Sequence, residues 1–104
     1  MPVVEIAGEL KPSTKGEAVE ALKLAAEQNP ADMIVDLTAV TETNNELIEV
    51  VAQAAHSELG HGGRLALVVS GDEMERAVRK TRLTDRPWVR VFRSRDEAIK
   101  GLAA

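Results

Sequence analysis

The sequence predicts a small α/β layered domain in which strands and helices alternate, and three observations carry that expectation. Leu65-Ala66-Leu67-Val68-Val69 is an apolar run with no polar alternate, the pattern of a strand covered on both faces of a mostly parallel sheet. Short β-branched runs on either side of it are interleaved with segments of helical period in the order β-α-β-α-β-α-β-α, which implies parallel pairing through right-handed crossovers. With 104 residues, 44% of them hydrophobic and 29% charged, the chain suits one domain over residues 1–104. About four mostly parallel strands and four helices are expected, with no internal repeat, linker or low-complexity segment.

Taken in order, Val3 to Ala7 is rich in β-branched residues and stops at Gly8, which predicts the first strand. Pro12-Ser13-Thr14 supplies a loop and a helix start, and Thr14 with Glu17 has capping-box spacing. Ala18, Leu22, Ala25 and Ala26 then recur at helical intervals until Asn29-Pro30, predicting a helix over 14–28. Met33-Ile34-Val35, ended by Asp36, reads as a buried strand, and the polar stretch Thr38 to Asn45 as the loop after it. Leu47, Ile48, Val51, Ala54, Ala55 and Leu59 form the clearest amphipathic pattern, a helix over 45–59 closed by Gly60-His61-Gly62-Gly63. Ser70-Gly71-Asp72 turns into a third helix carrying Met74, Ala77 and Val78. Pro87 precedes an alternating strand, Trp88 to Phe92, and Ser94 to Leu102 is the last helix.

Composition removes several classes of function. There is no cysteine, hence no disulfide, thiolate nucleophile or Cys-ligated zinc. The longest apolar run is five residues, against the roughly 20 that span a bilayer, and Glu5 and Glu9 stand where a leader would be basic and apolar. No membrane insertion and a cytoplasmic location are therefore expected. Trp88 and Phe92 are the whole aromatic complement, too few for a base-stacking platform, so nucleic acid is not an expected partner. The net charge of -4 divides into -8 over residues 1–60 and +4 over residues 61–104. The basic group Arg76, Arg79, Lys80, Arg82 and Arg86 is either a solvated helix face or a steering patch for a charged protein.

Other constellations are unpromising. His56 and His61 lack the third and fourth ligands a metal needs, and no serine stands with histidine and carboxylate at a recognised triad spacing. Gly60, Gly62 and Gly63 lie between helix and strand, the reverse of a phosphate-cradling order. Ser70-Gly71-Asp72 has the right order, but Asp72 and Glu73 would repel an anion. No metal, no cofactor and no turnover are expected. Trp88 is either core or rim, and Met33 and Met74 fill gaps.

Four segments together resemble the STAS domain family, shared by anti-sigma factor antagonists and sulfate transporter tails. They are Val4-Glu5-Ile6-Ala7-Gly8-Glu9-Leu10, Ile34-Val35-Asp36-Leu37-Thr38-Ala39-Val40-Thr41, Gly62-Gly63-Arg64-Leu65-Ala66-Leu67-Val68, and Val89-Arg90-Val91-Phe92 through Asp96-Glu97-Ala98. The resemblance implies a SpoIIAA-like fold and a regulatory module that catalyses nothing: the loop after the second strand and the helix it opens dock on an anti-sigma factor kinase. In the family the switch is phosphorylation of a serine in an Asp-Ser-Ser-Gly-Leu-like motif at that helix start, where backbone N–H groups and the helix dipole accommodate a dianion.

This chain departs from that pattern twice. Aligned without a gap, Asn44, Asn45 and Glu46 match the motif's first three positions; one residue shorter, Thr43, Asn44, Asn45, Glu46 and Leu47 match all five. Either way an asparagine replaces the acceptor, the glycine is missing, and Thr41 and Thr43 are the nearby hydroxyls left for phosphorylation. Glu42 and Glu46 place fixed negative charge there, as a permanently modified state would. Family members also commonly begin with a further strand, so the first strand here is expected at an exposed sheet edge open to self-association or a partner strand.

The implied docking surface comprises Ser13 and Thr14, the loop residues Thr41, Glu42, Thr43, Asn44 and Asn45, then Glu46 and Glu49 with Gln53 on the exposed side of the second helix. A loop with a helix cap is the plainer reading of the same residues. The expected partner is a protein, kinase-like, with a homodimer as a further candidate. The alternative is an accessory subunit of a transporter ATPase or a domain sensing a small ligand.

Overall fold

Residues 2–27, 30–59 and 62–103 are described by a computed structural model, apart from the Thr84 side chain. Strands and helices alternate as β1 Val3–Glu9, α1 Lys15–Ala26, β2 Asp32–Glu42, α2 Asn45–Ser57, β3 Arg64–Val68, α3 Asp72–Arg79, β4 Val89–Phe92 and α4 Arg95–Ala103, with a 3-10 turn at Leu83–Asp85 before β4. The strands form one sheet in the order β1-β2-β3-β4, parallel at every pairing. This is the α/β layered architecture expected. Because each crossover steps to the next strand in the same sense, α1, α2 and α3 fall on one face of the sheet, and α4 returns to the other.

The two-residue side-chain period sorts the core accordingly. Val4 and Ile6, Met33, Val35 and Leu37, Leu65, Leu67 and Val69, and Val89 pack under α1, α2 and α3, which contribute Leu22, Ile48, Val51, Ala55 and Val78. The alternate positions Ile34, Ala66 and Val68 pack against Ala98 and Leu102 of α4, with Phe92 alongside. Burial of a Leu, Ile or Val side chain contributes about 1.5–3 kcal/mol, so the larger α1–α3 layer carries most of the stability. Gly101 is where α4 crosses Phe92: a Cβ there would lie 2.4 Å from the ring.

Several boundaries differ from the sequence reading. Strand β2 does not end at Asp36; it continues to Glu42, so Thr38 to Glu42 is strand and not loop. The added residues pair with β1 through register shifts between Glu5 and Ala7 and between Gly8 and Glu9, and such bulges let polar, β-branched residues extend a strand past its buried part. Helix α1 begins at Lys15 and no Thr14–Glu17 capping box forms: the Thr14 hydroxyl donates to the Glu9 carbonyl at 2.8 Å and accepts from Lys11 N–H at 3.1 Å. Ser94 caps the start of α4, its Oγ accepting from Glu97 N–H at 3.1 Å, while the Glu97 carboxylate accepts from Arg93 N–H at 3.3 Å. Trp88 precedes β4 and is half-buried, its ring stacked on His56 of α2 at 3.9 Å and 15°. The expected end of the first helix at Gln28 and Asn29, and the helix stop at Gly60 and His61, lie outside the described residues.

Both sheet edges are blunted. Strand β1 carries its two register shifts, Gly8 at φ +78 and the exposed Glu5 and Glu9. Strand β4 has four residues, and its flanking N–H groups are taken: Val89 donates to the Arg86 carbonyl and Arg93 to Glu97. Short, charged and bulged edges resist strand addition.

Candidate functional site

All four strands point their carboxyl ends at one edge of the sheet, and the loops into the helices gather there. Leu10 N–H donates to the Glu42 carbonyl at 2.8 Å, tying the loop that holds Ser13 and Thr14 to the end of β2. The turn between β2 and α2 is only Thr43-Asn44. Asn44 has extended backbone angles and its side-chain oxygen accepts from Leu47 N–H at 2.9 Å, which makes it the N-cap of α2. Leu47 turns into the core while Asn45 and Glu46 stay exposed. The apolar stripe fixes that rotation, since Leu47, Ile48, Val51 and Ala55 can all be buried in only one orientation of the helix.

The sequence-predicted residues are thus brought together in part. Thr41, Glu42, Asn45 and Glu46 stand exposed along the end of β2 and the start of α2, with Ser13 in the neighbouring loop. Thr43 is half-buried, its hydroxyl donating to the Asn44 carbonyl at 3.4 Å. Thr14 is occupied by its Glu9 and Lys11 bonds. Glu49 is half-buried one turn further on and accepts from Gln53 at 3.4 Å. Beside Glu9, Lys11 forms a 2.8 Å ion pair whose hydrogen bond and charge hold the Glu9 carboxyl below its ordinary range.

Two grooves flank the turn. One of about 320 Å3 runs between Asn44 and Asn45 and the α3 residues Glu73, Arg76 and Ala77, with Lys80 just beyond the helix. The other, of about 380 Å3, lies between Val40–Thr43 and the start of α3 at Ser70–Met74. There Gly71 adopts φ +84, a conformation that glycine takes without strain.

Sequence inspection missed a polar network on the opposite face. Asp36, 3% exposed, accepts from Thr38 N–H at 2.9 Å, from the Thr38 hydroxyl at 2.6 Å and from Arg95 Nε at 2.5 Å, while Arg95 Nη2 reaches Glu5 at 2.5 Å. Burial by itself would push the Asp36 carboxyl up; Thr38 and the Arg95 guanidinium outweigh it and hold the carboxyl below its ordinary value. One signal was available, an aspartate in register with buried strand residues, but its partner lies 59 positions away. The network fixes the start of α4 against β1 and β2, and Arg64 Nη2 on the Leu102 carbonyl at 2.6 Å fixes its end. Among the described residues no three His, Cys, Asp or Glu side chains could hold a metal ion, and no helix is long and apolar enough to cross a membrane.

A family model described as the STAS domain matches residues 1–98. The chain belongs to the STAS domain family. Two solved structures place this STAS domain among folds already seen. One is an anti-sigma factor antagonist from Mycobacterium paratuberculosis, at TM-score 0.80 and 22% identity over 98% of this chain and 85% of that one. The other is the anti-sigma factor antagonist SpoIIAA in its unphosphorylated form, at TM-score 0.60 and 16% identity over 98% of this chain and 88% of that one. At such identities the likeness is one of fold. No curated protein matches this chain significantly by sequence.

Proposed function

We propose that this STAS domain is a non-catalytic, cytoplasmic regulatory module, acting as a single domain that docks on an anti-sigma factor of the kinase-like type, as an anti-sigma factor antagonist does. The observation that carries the reading is the Thr43-Asn44 turn. It sits at the carboxyl edge of a rigid parallel sheet, capped by its own Asn44, and presents Asn45 and Glu46 outward on the first turn of α2. The docking residues are Ser13, Thr14 and Thr41 through Glu46, with Glu49 on the same helix. A surface made of backbone ends, a cap and exposed polar side chains suits recognition rather than catalysis, which needs a concave site with convergent groups.

The acceptor position carries an amide, so the serine phospho-switch does not operate in its usual form. Burial of Leu47 supports the register in which Leu47 matches the motif leucine and Asn44 and Asn45 replace the two serines. Thr41 and Thr43 are the hydroxyls on which a phosphate would restore a switch.

Affinity purification from the native host tests the docking reading. Wild-type protein is expected to capture a kinase-like anti-sigma factor, and Glu46→Lys to lose it; recovery of a transporter ATPase instead would sink the proposal. Incubation with the host's anti-sigma kinases and ATP, followed by intact-mass measurement, is expected to leave the mass unchanged; an added phosphate at Thr41 or Thr43 would restore the phospho-switch.

A further inference from the structure

The groove between the end of β2 and the start of α3 differs in charge from its neighbour beside Asn44 and Asn45. Its lining joins half-buried Val40, Met74 and Ala77 to exposed Glu42, Asp72 and Glu73 and contains no lysine or arginine. The neighbouring groove beside Asn44 and Asn45 carries Arg76 and Lys80. Among the described residues Glu42 and Glu73 enter no ion pair, while the Asp72 carboxylate meets Arg93 at 3.8 Å and its carbonyl accepts from Arg76 Nε at 3.3 Å.

We infer that this groove receives an arginine side chain from the partner protein. Half-buried apolar side chains beside exposed carboxylates match a long aliphatic stem that ends in a delocalised cation. A single metal ion fits less well, because these carboxylates do not come close enough to form a metal-holding group. The hydroxyl side chains of Thr41, Thr43 and Ser70 also line the groove and could accept further guanidinium N–H bonds. The groove adjoins Asn44 and the start of α2, so the inference rests on the docking reading and adds the chemistry of the docked residue.

The test is a two-dimensional amide NMR titration of the whole protein with a blocked Leu-Arg-Leu peptide, its citrulline counterpart and calcium ion. Saturable shifts are expected at the Thr41–Thr43 and Ser70–Met74 amides with the arginine peptide. The citrulline peptide and the Glu42→Gln/Glu73→Gln variant should each bind at least about tenfold more weakly. A Glu17→Gln/Glu20→Gln control should bind as wild type does. Equal binding of the citrulline peptide, shifts centred elsewhere, no saturable binding, or saturation of the same amides by calcium would overturn the inference.

The affinity purification separates this from the wider reading. If the Gln variant captures the anti-sigma factor as wild type does, the arginine groove is wrong and docking stands. If no such partner is captured yet the peptide binds as expected, the groove stands and the docking reading fails.

Discussion

Asp36 is the side chain whose environment most constrains this fold. Its carboxylate is buried and fully engaged by Thr38 and Arg95, so replacing it removes one partner of a desolvated pair. Arg95 remains 44% exposed along its side chain, and water will partly compensate it. Asp36→Asn should therefore lower unfolding free energy by about 2 kcal/mol, below the 3–5 typical of fully buried pairs, as measured by urea denaturation. Gly101 sets a second residue-scale limit. Alanine there would gain about 1 kcal/mol of helix propensity, but its Cβ would meet the Phe92 ring at 2.4 Å. Forcing that ring aside costs about 1–3 kcal/mol. Gly101→Ala should thus fail to stabilise the protein in a thermal melt, in contrast to Gly16→Ala in α1, where nothing lies within 4 Å.

At the scale of elements, α2 depends on its cap and its stripe. Asn44→Ala removes the acceptor for Leu47 N–H and should cost about 1 kcal/mol; Asn44→Asp, which keeps an oxygen and adds favourable charge at a helix start, should leave stability unchanged or slightly higher. Chemical denaturation of the pair checks both. Most elements were legible from the chain alone. Helix α2 was, because Leu47, Ile48, Val51 and Ala55 repeat at its period, and β3 was, because an apolar run that short has few other uses. The outer half of β2 was not. Thr38 to Glu42 is polar enough to read as a loop, and only pairing with β1 across two bulges makes it a strand. Thr14 likewise looked like a cap until the fold offered its hydroxyl the Glu9 carbonyl instead.

Across the whole molecule, the pH response follows from the carboxylates that folding holds ionised. Asp36 in the native state lies below its ordinary 3.8, so the unfolded chain takes up the proton first as pH falls. Its contribution is complete above that value and is lost as pH drops through the lower native one. Stability should be flat from neutral pH down to about 5 and fall below about 4. Asp36→Asn should flatten that fall, which acid titration of circular dichroism would reveal. Both sheet edges are blunted, which disfavours recognition by strand addition.

The sequence by itself determined the alternation of elements, the parallel sheet, the faces of the main helices and the family, because hydrophobic period and short-range turn chemistry are local properties. It also located the candidate docking turn. Tertiary structure decided the length of β2, the bond partners of Thr14, the Glu5–Asp36–Arg95 network and the cation-free groove. Apart from Thr14, whose partners lie three and five residues away, each of these joins residues far apart in the chain, and no local pattern encodes which distant groups the fold will bring within bonding distance.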